Sequence, residues 1–205
     1  MPDIDSPFQF LLLVGIFVFW SLAYVLIIWK GFRDRTCGIP FAALCANLMW
    51  EFIYLFVFPH GWLRDLGTAI WLALDLVILY LFLRYTKNGL WASNRFKAIV
   101  LSFSLLLAFL LQVGFSLDFD DAAGIYTGFG INLMMSLLFV RMVLTQSTTG
   151  QSVLIGYAKM LGTFCASLVY YRLNPDDFLL NVLYVSILLL DLIYIYLLSK
   201  RSHTT

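Results

Sequence analysis

The chain has 205 residues, 62% of them apolar and 12% charged, with a formal net charge of +1 and a mean hydropathy of +0.90. About a quarter of the residues of a water-soluble domain are charged, so this composition excludes a soluble globular protein and points to a chain whose exterior faces lipid. A net charge this close to zero also excludes nucleic-acid binding driven by phosphate contacts.

Apolar runs bounded by charged or turn residues predict an all-α membrane protein with seven transmembrane helices, over residues 7–29, 38–58, 67–84, 96–117, 123–144, 152–172 and 178–199. The first run is too long for a signal-peptide core and has no basic segment before it, so it is kept as a span. Such a chain forms a single transmembrane domain, residues 1–205, with no length left for an extramembrane one. Cys37, Cys45 and Cys165 are odd in number and lack metal-ligand spacing, which makes them small core residues.

Seven spans put the termini on opposite faces. Lys30, Arg33, Arg35, Arg84, Lys87, Arg95, Lys97, Arg141, Lys200 and Arg201 fall on the C-terminal face, against Arg64 and Arg172 on the other. The positive-inside rule therefore predicts an outside or lumenal N-terminus and a cytosolic C-terminus. Asp3, Asp5, Asp65, Asp118, Asp120, Asp121, Asp176 and Asp177 then form an acidic outer face.

The chain also repeats itself. Leu74-Asp75-Leu76-x-x-x-Tyr80-Leu81 returns as Leu190-Asp191-Leu192-x-x-x-Tyr196-Leu197, and at the same offset Tyr54 matches Tyr170 and Pro59 matches Pro175. The predicted plan is a 3+1+3 parallel repeat: residues 7–85, a connector helix over 96–117, and residues 123–201. A site is expected between the two triplets, near their pseudo-symmetry axis.

Three carboxylic acids, Glu51, Asp75 and Asp191, lie inside spans, where each ionised group costs at least about 2.5–3.5 kcal/mol on insertion scales. At about 1.5 Å per residue, Glu51 lies roughly 12 Å from Pro59, Asp75 roughly 12 Å from Gly67 and Asp191 roughly 18–20 Å from Phe178, so all three share one band of the bilayer. Lys159 and Arg141 lie nearer the cytosolic ends, where long stems snorkel to water. The three acids are therefore expected to lack cationic partners and to keep their protons, and a neutral carboxyl in an apolar site is a general acid.

The surroundings of these acids are aromatic. Asn47, Trp50 and Tyr54 lie within a turn of Glu51, Trp71 within a turn of Asp75, and Tyr184 and Tyr194 on the helix that carries Asp191. Ring faces stabilise cations where water would quench them. We take these residues, with Asp75 itself and the in-span Asn132, as candidate substrate-binding groups beside Glu51 and Asp191 as candidate catalytic ones. Trp and Tyr in spans this rich also pack helices and line membrane interfaces, and in-span Asn also bonds across helices.

Two acidic motifs read as loops. Asp118-Phe119-Asp120-Asp121 matches the D-x-D-D acid motif of soluble class II terpene cyclases but falls in a short outer loop, where its carboxylates are solvated and ionised. Asn174-Pro175-Asp176-Asp177 reads as a turn and helix cap. The sequence has no H-E-x-x-H, Walker loop, G-x-S-x-G or Cys/His cluster, so no metal site or cofactor is assigned.

The pattern Asn47-x-x-Trp50-Glu51-x-x-Tyr54 in the second span, with Asp191 in the last of seven, resembles the integral membrane terpene cyclases of meroterpenoid and indole-diterpene biosynthesis. The resemblance implies that Glu51 protonates the epoxide, or an olefin, of a lipophilic prenylated substrate. Asp191 would assist that protonation or act in the terminating proton transfer, and Trp50, Tyr54 and neighbouring rings would shelter the carbocations. It also implies a protonation-initiated cyclase of isomerase or intramolecular lyase type, with no metal.

The rival reading is a small 3+1+3 transporter of the sugar or PQ-loop kind, whose intramembrane acids would couple protons. No Pro-Gln pair occurs, and Pro2, Pro7, Pro40, Pro59 and Pro175 all lie near span ends rather than at hinges. The expected setting is a multi-pass integral membrane protein, in the cytoplasmic membrane of a bacterium or the endoplasmic reticulum of a fungus. Its expected partners are the substrate and the bilayer, with no nucleic acid and no obligatory protein partner.

Overall fold

A computed structural model describes residues 7–145 and 148–202. Pro2, Asp3 and Asp5 lie outside the described residues. Within them the chain is all helical: α1 (Pro7–Asp34), α2 (Phe41–Phe56), α3 (Trp62–Tyr85), a 3-10 turn (Gly89–Ala92), α4 (Asn94–Asp118), α5 (Ile125–Thr145), α6 (Val153–Leu173) and α7 (Phe178–Ser202).

Six of the seven helices are long and apolar enough to cross a membrane, and α2, at 16 residues, is shorter. The second span predicted over 38–58 is thus corrected to a helix rising about 24 Å, less than the roughly 30 Å hydrocarbon core. Prolines set both limits. Pro40 is the N-cap in extended conformation, and Pro59 disfavours helix at the residue before it. The N–H groups of Val57 and Phe58 both close on Ile53 O, ending the helix there.

Elsewhere caps mark the starts. Ser93 and Ser152 accept from Phe96 N (3.3 Å) and Leu154 N (3.2 Å) at the heads of α4 and α6. Asp177 accepts from Leu180 N at 2.9 Å at the head of α7, as a cap residue should. The Leu180 N–H, with the Tyr126 hydroxyl, holds the Asp177 carboxyl below the usual carboxylate range.

The first and last triplets pack in matching ways: α3 contacts α1 and α2, as α7 contacts α5 and α6, and the two sets meet where α1 lies on α6 and α2 on α5. Ile27, Leu44, Leu48, Ile78, Phe139, Val143, Ile155 and Leu198 fill the interior between them. Gly162 lets α1 and α6 approach, since a Cβ there would stand 2.7 Å from the Trp20 ring.

Helix α4 is built inside out. Its buried residues are Lys97, Gln112 and Ser116, while Ile99, Phe103, Leu106 and Leu110 point outward. In water this would be a defect. In lipid it buries the polar groups against protein acceptors, with Gln112 Nε2 donating to Ala46 O at 2.9 Å and Lys97 Nζ to Leu83 O at 3.2 Å.

Candidate active site

Glu51 and Asn47 are one turn apart on α2, so both side chains leave the same face, toward α1 and α3. Glu51 is 1% exposed and Asp75 0%. Glu51 Oε1 accepts from Tyr24 Oη of α1 at 2.6 Å and from Asn47 Nδ2 at 3.1 Å. Asn47 Nδ2 also donates to Asp75 Oδ2 of α3 at 2.8 Å and makes a short contact with Tyr24 Oη. Three helices thus converge on one network in which the Glu51 and Asp75 carboxyls are neighbours.

No protein N–H or hydroxyl reaches the outer oxygens of that pair, Glu51 Oε2 and Asp75 Oδ1, which are buried without a partner among the described residues. Two neighbouring buried carboxyls satisfy each other when one keeps its proton and the other accepts it, whereas two buried carboxylates side by side repel. The arrangement suits a dyad that holds a single proton.

Glu51 opens onto a cavity of about 520 Å³ bounded by α1, α2, α3, α5 and α6. Its wall is apolar and rich in rings: Phe17, Trp20, Tyr24, Trp50, Trp71 and Phe129 line it among aliphatic side chains. Trp71 stacks on Phe17 with centroids 6.0 Å apart and donates Nε1 to Ser21 Oγ at 3.1 Å. Trp50 is oriented by its Nε1 bond to Gly124 O at 3.2 Å. Asn132, on the far wall, donates to Thr163 Oγ1 at 2.8 Å. A chamber rich in aromatic rings with a buried carboxyl on its wall has the groups needed to protonate a hydrophobic substrate and stabilise the resulting cation.

Of the sequence-derived site residues, Asn47, Trp50, Glu51, Trp71 and Asn132 line this cavity. Asp75 lies behind Asn47 as the dyad partner. Tyr54 supports the wall from behind, its hydroxyl bonded to Ser116 Oγ (2.6 Å), Thr127 Oγ1 (2.8 Å) and Asp121 O (3.3 Å), its ring beside Trp50. Gly124 makes room for that ring: it adopts φ +67° and a Cβ there would stand 2.6 Å from Tyr54. Tyr194 is buried in the core against Phe139, with centroids 5.2 Å apart.

Asp191 is elsewhere. With Tyr184 it lines a second cavity of about 170 Å³, and Thr163 borders both cavities. Its partner corrects the expectation that Lys159 snorkels and that Asp191 stands without a cation. Lys159 Nζ lies 2.8 Å from Asp191 Oδ1 and 3.0 Å from Oδ2, the two side chains being 3% and 2% exposed, and Ser136 Oγ donates to the same carboxylate at 2.8 Å. Lys159 sits on the buried face of α6 with Ile155, Gly156, Gly162 and Thr163, so its side chain turns into the protein and meets Asp191 there.

A second correction concerns the acidic loop. Asp118 and Asp120 are exposed, but Asp121 is buried. Its carboxylate accepts from Ile125 N, Tyr126 N, Thr127 N and Thr127 Oγ1 at 2.7–3.2 Å, closing the head of α5 as a cap rather than standing in solvent. Its spacing before an apolar helix was the available signal. Sequence reasoning also missed Tyr24, whose hydroxyl meets Glu51 because α1 and α2 both pack on α3.

The sequence model of the Pyr4-like transmembrane terpene cyclases matches residues 6–203. The chain is 27% identical over 164 residues to the terpene cyclase macJ of Penicillium terrestre, covering 75% of this chain and 63% of that protein. It is 26% identical over 180 residues to the Pyr4-family terpene cyclase mfmH of Annulohypoxylon moriforme, covering 83% and 74%, and 26% identical over 157 residues to the terpene cyclase andB of Emericella variicolor, covering 73% and 66%. It thus spans somewhat less than two thirds of macJ and of andB. No solved structure matches it. Helices with a lipid-facing exterior, a buried Glu51 opening on an aromatic chamber, and a family match over nearly the whole length agree: the chain belongs to the Pyr4-like transmembrane terpene cyclases.

Proposed function

We propose that this protein is a membrane terpene cyclase of meroterpenoid biosynthesis, acting on a lipophilic prenylated substrate by protonation-initiated cyclisation. The observation that carries the reading is Glu51, buried beside Asp75 and opening on the aromatic cavity. Glu51 gives its proton to the oxygen of a terminal epoxide, or to an olefin carbon. In the epoxide case the C–O bond breaks and the oxygen leaves as a hydroxyl. The carbon left electron-deficient is attacked in turn by successive double bonds, while Trp20, Trp50 and Trp71 face the migrating charge. Loss of a proton from carbon ends the cascade, so no atom is gained or lost overall, as in an isomerase or intramolecular lyase.

Asp191 takes part in that terminating transfer. It is the one in-span acid outside the dyad, and Thr163 separates its cavity from the larger one. The chain forms one transmembrane unit with a 3+1+3 parallel repeat, supported by the matching packing of α1–α3 and α5–α7, and an outside N-terminus, supported by the distribution of Lys and Arg. Membership of a cyclase family favours this activity over the transporter.

The test is cyclisation in isolated membranes. Glu51→Gln keeps the shape and removes the proton, and should lower turnover of an epoxyprenyl substrate at least about a hundredfold while the protein accumulates normally. Full activity in that variant would sink the assignment.

A further inference from the structure

Arg64 is one of two basic residues on the predicted outer face, and the dyad chemistry does not use it. It lies in the first turn of α3 and lines the large cavity at the end away from Glu51. Its neighbour Asp65 is turned back, accepting from His60 N at 3.0 Å and Gly61 N at 3.2 Å. Asp121, the other acid nearby, is saturated by the four donors at the head of α5. The ion pairs among the described residues join Lys30 and Arg33 to Asp34 and Lys159 to Asp191, and none includes Arg64. One guanidinium N–H bond goes to Ala123 O at 2.5 Å, and a guanidinium has five N–H donors.

A half-buried cation at the edge of an apolar chamber is stabilised by an anion that enters with the ligand. The chamber separates that cation from the acid: eleven residues of α3 from Arg64 to Asp75 rise about 16 Å. Around Arg64 the rim formed by Phe10, Phe17, Leu63 and Leu66 is apolar and exposed, an entry for a hydrocarbon chain from lipid. A molecule that fits this profile has an anionic oxygen at one end and a reactive prenyl terminus at the other.

We propose that Arg64 is the receptor for the substrate's head group, pairing with an acidic oxygen such as a carboxylate or enolate, so that the prenyl tail is held with its terminus at Glu51. The tail-first orientation rests on the cyclase reading above. The head-group contact does not, and binding alone tests it.

The probes are a hydroxybenzoic acid carrying a saturated prenyl chain, which cannot be cyclised, and its methyl ester. Both are titrated into the full chain in phosphatidylcholine nanodiscs, with tryptophan fluorescence as the readout. The acid should bind at least about tenfold more tightly than the ester. Arg64→Gln should remove that preference, Arg64→Lys should keep part of it, and Glu51→Gln should leave it intact. In turnover of the epoxide-bearing acid, Arg64→Gln should raise KM more than it lowers kcat. Equal binding of acid and ester by the unsubstituted protein overturns the proposal without any variant. So does an equal loss of both ligands in Arg64→Gln, or an acid preference that survives unchanged in Arg64→Gln, which assigns the preference to the lipid surface or another group. A protein that prefers the acid yet cyclises nothing keeps the head-group site and loses the cyclase reading, and the reverse pattern does the opposite.

Discussion

One side-chain amide, that of Asn47, stands between the two buried carboxyls at 3.1 Å from Glu51 and 2.8 Å from Asp75, with Tyr24 closing the ring at 2.6 Å from Glu51. An amide nitrogen has two hydrogens, so Asn47 can orient both acids but cannot supply the proton that the unpartnered oxygens require. On the proposed reading that proton is shared by the dyad, with Asp75 as the group that keeps it beside Glu51. Asp75→Asn leaves an oxygen for Asn47 to bond but puts an NH2 where a shared proton was. The variant should accumulate, and its kcat should fall by about tenfold or more with an altered pH–rate profile. An unchanged kcat and profile would reduce Asp75 to a packing residue.

At the scale of helices, the Lys159–Asp191 pair joins α6 to α7, and Ser136 adds α5. Removing one member of a buried pair strands the other charge, at a cost of about 3–5 kcal/mol. Asp191→Asn should therefore lower thermal stability as well as activity, and by itself cannot separate the two roles. The double variant Lys159→Met/Asp191→Asn removes both charges. Its melting temperature should recover most of the loss while cyclisation stays absent, and recovery of activity with stability would leave Asp191 a purely structural role. The same scale explains α2: prolines near both ends shorten it, and it carries Asn47, Trp50 and Glu51 while packed against α3, α4 and α5. Helix α4 takes the lipid contact on its outer side and returns Gln112 and Ser116 to α2.

For the molecule as a whole, the chamber sits where the two triplets meet, with Arg64 and Glu51 both on its wall. Orientation then decides from which leaflet a substrate enters. The distribution of basic residues predicts Arg64 at the outer face, so a C-terminal tag should be protease-accessible from the cytosolic side and an N-terminal tag from the other, in sealed vesicles of known sidedness. The opposite accessibility would invert the entry side while leaving the dyad geometry untouched.

Composition alone was enough to put this chain in a membrane, because 12% charge cannot coat a soluble surface. Apolar runs located each helix to within a few residues, and the cost of charge in lipid singled out Glu51, Asp75 and Asp191. What only tertiary structure decided is who meets whom. Periodicity assigns a residue to a face of its own helix, but in a bilayer both faces are apolar, so the pattern does not mark which face is inward or at what rotation and depth two helices lock. Lys159 therefore read as a snorkelling residue and proved to be the partner of Asp191. Tyr24 gave no sign of its burial, and Glu51 and Asp191, alike in sequence, face two different cavities. Residue types marked the candidate groups, and their geometry depended on helix packing that no single helix encodes.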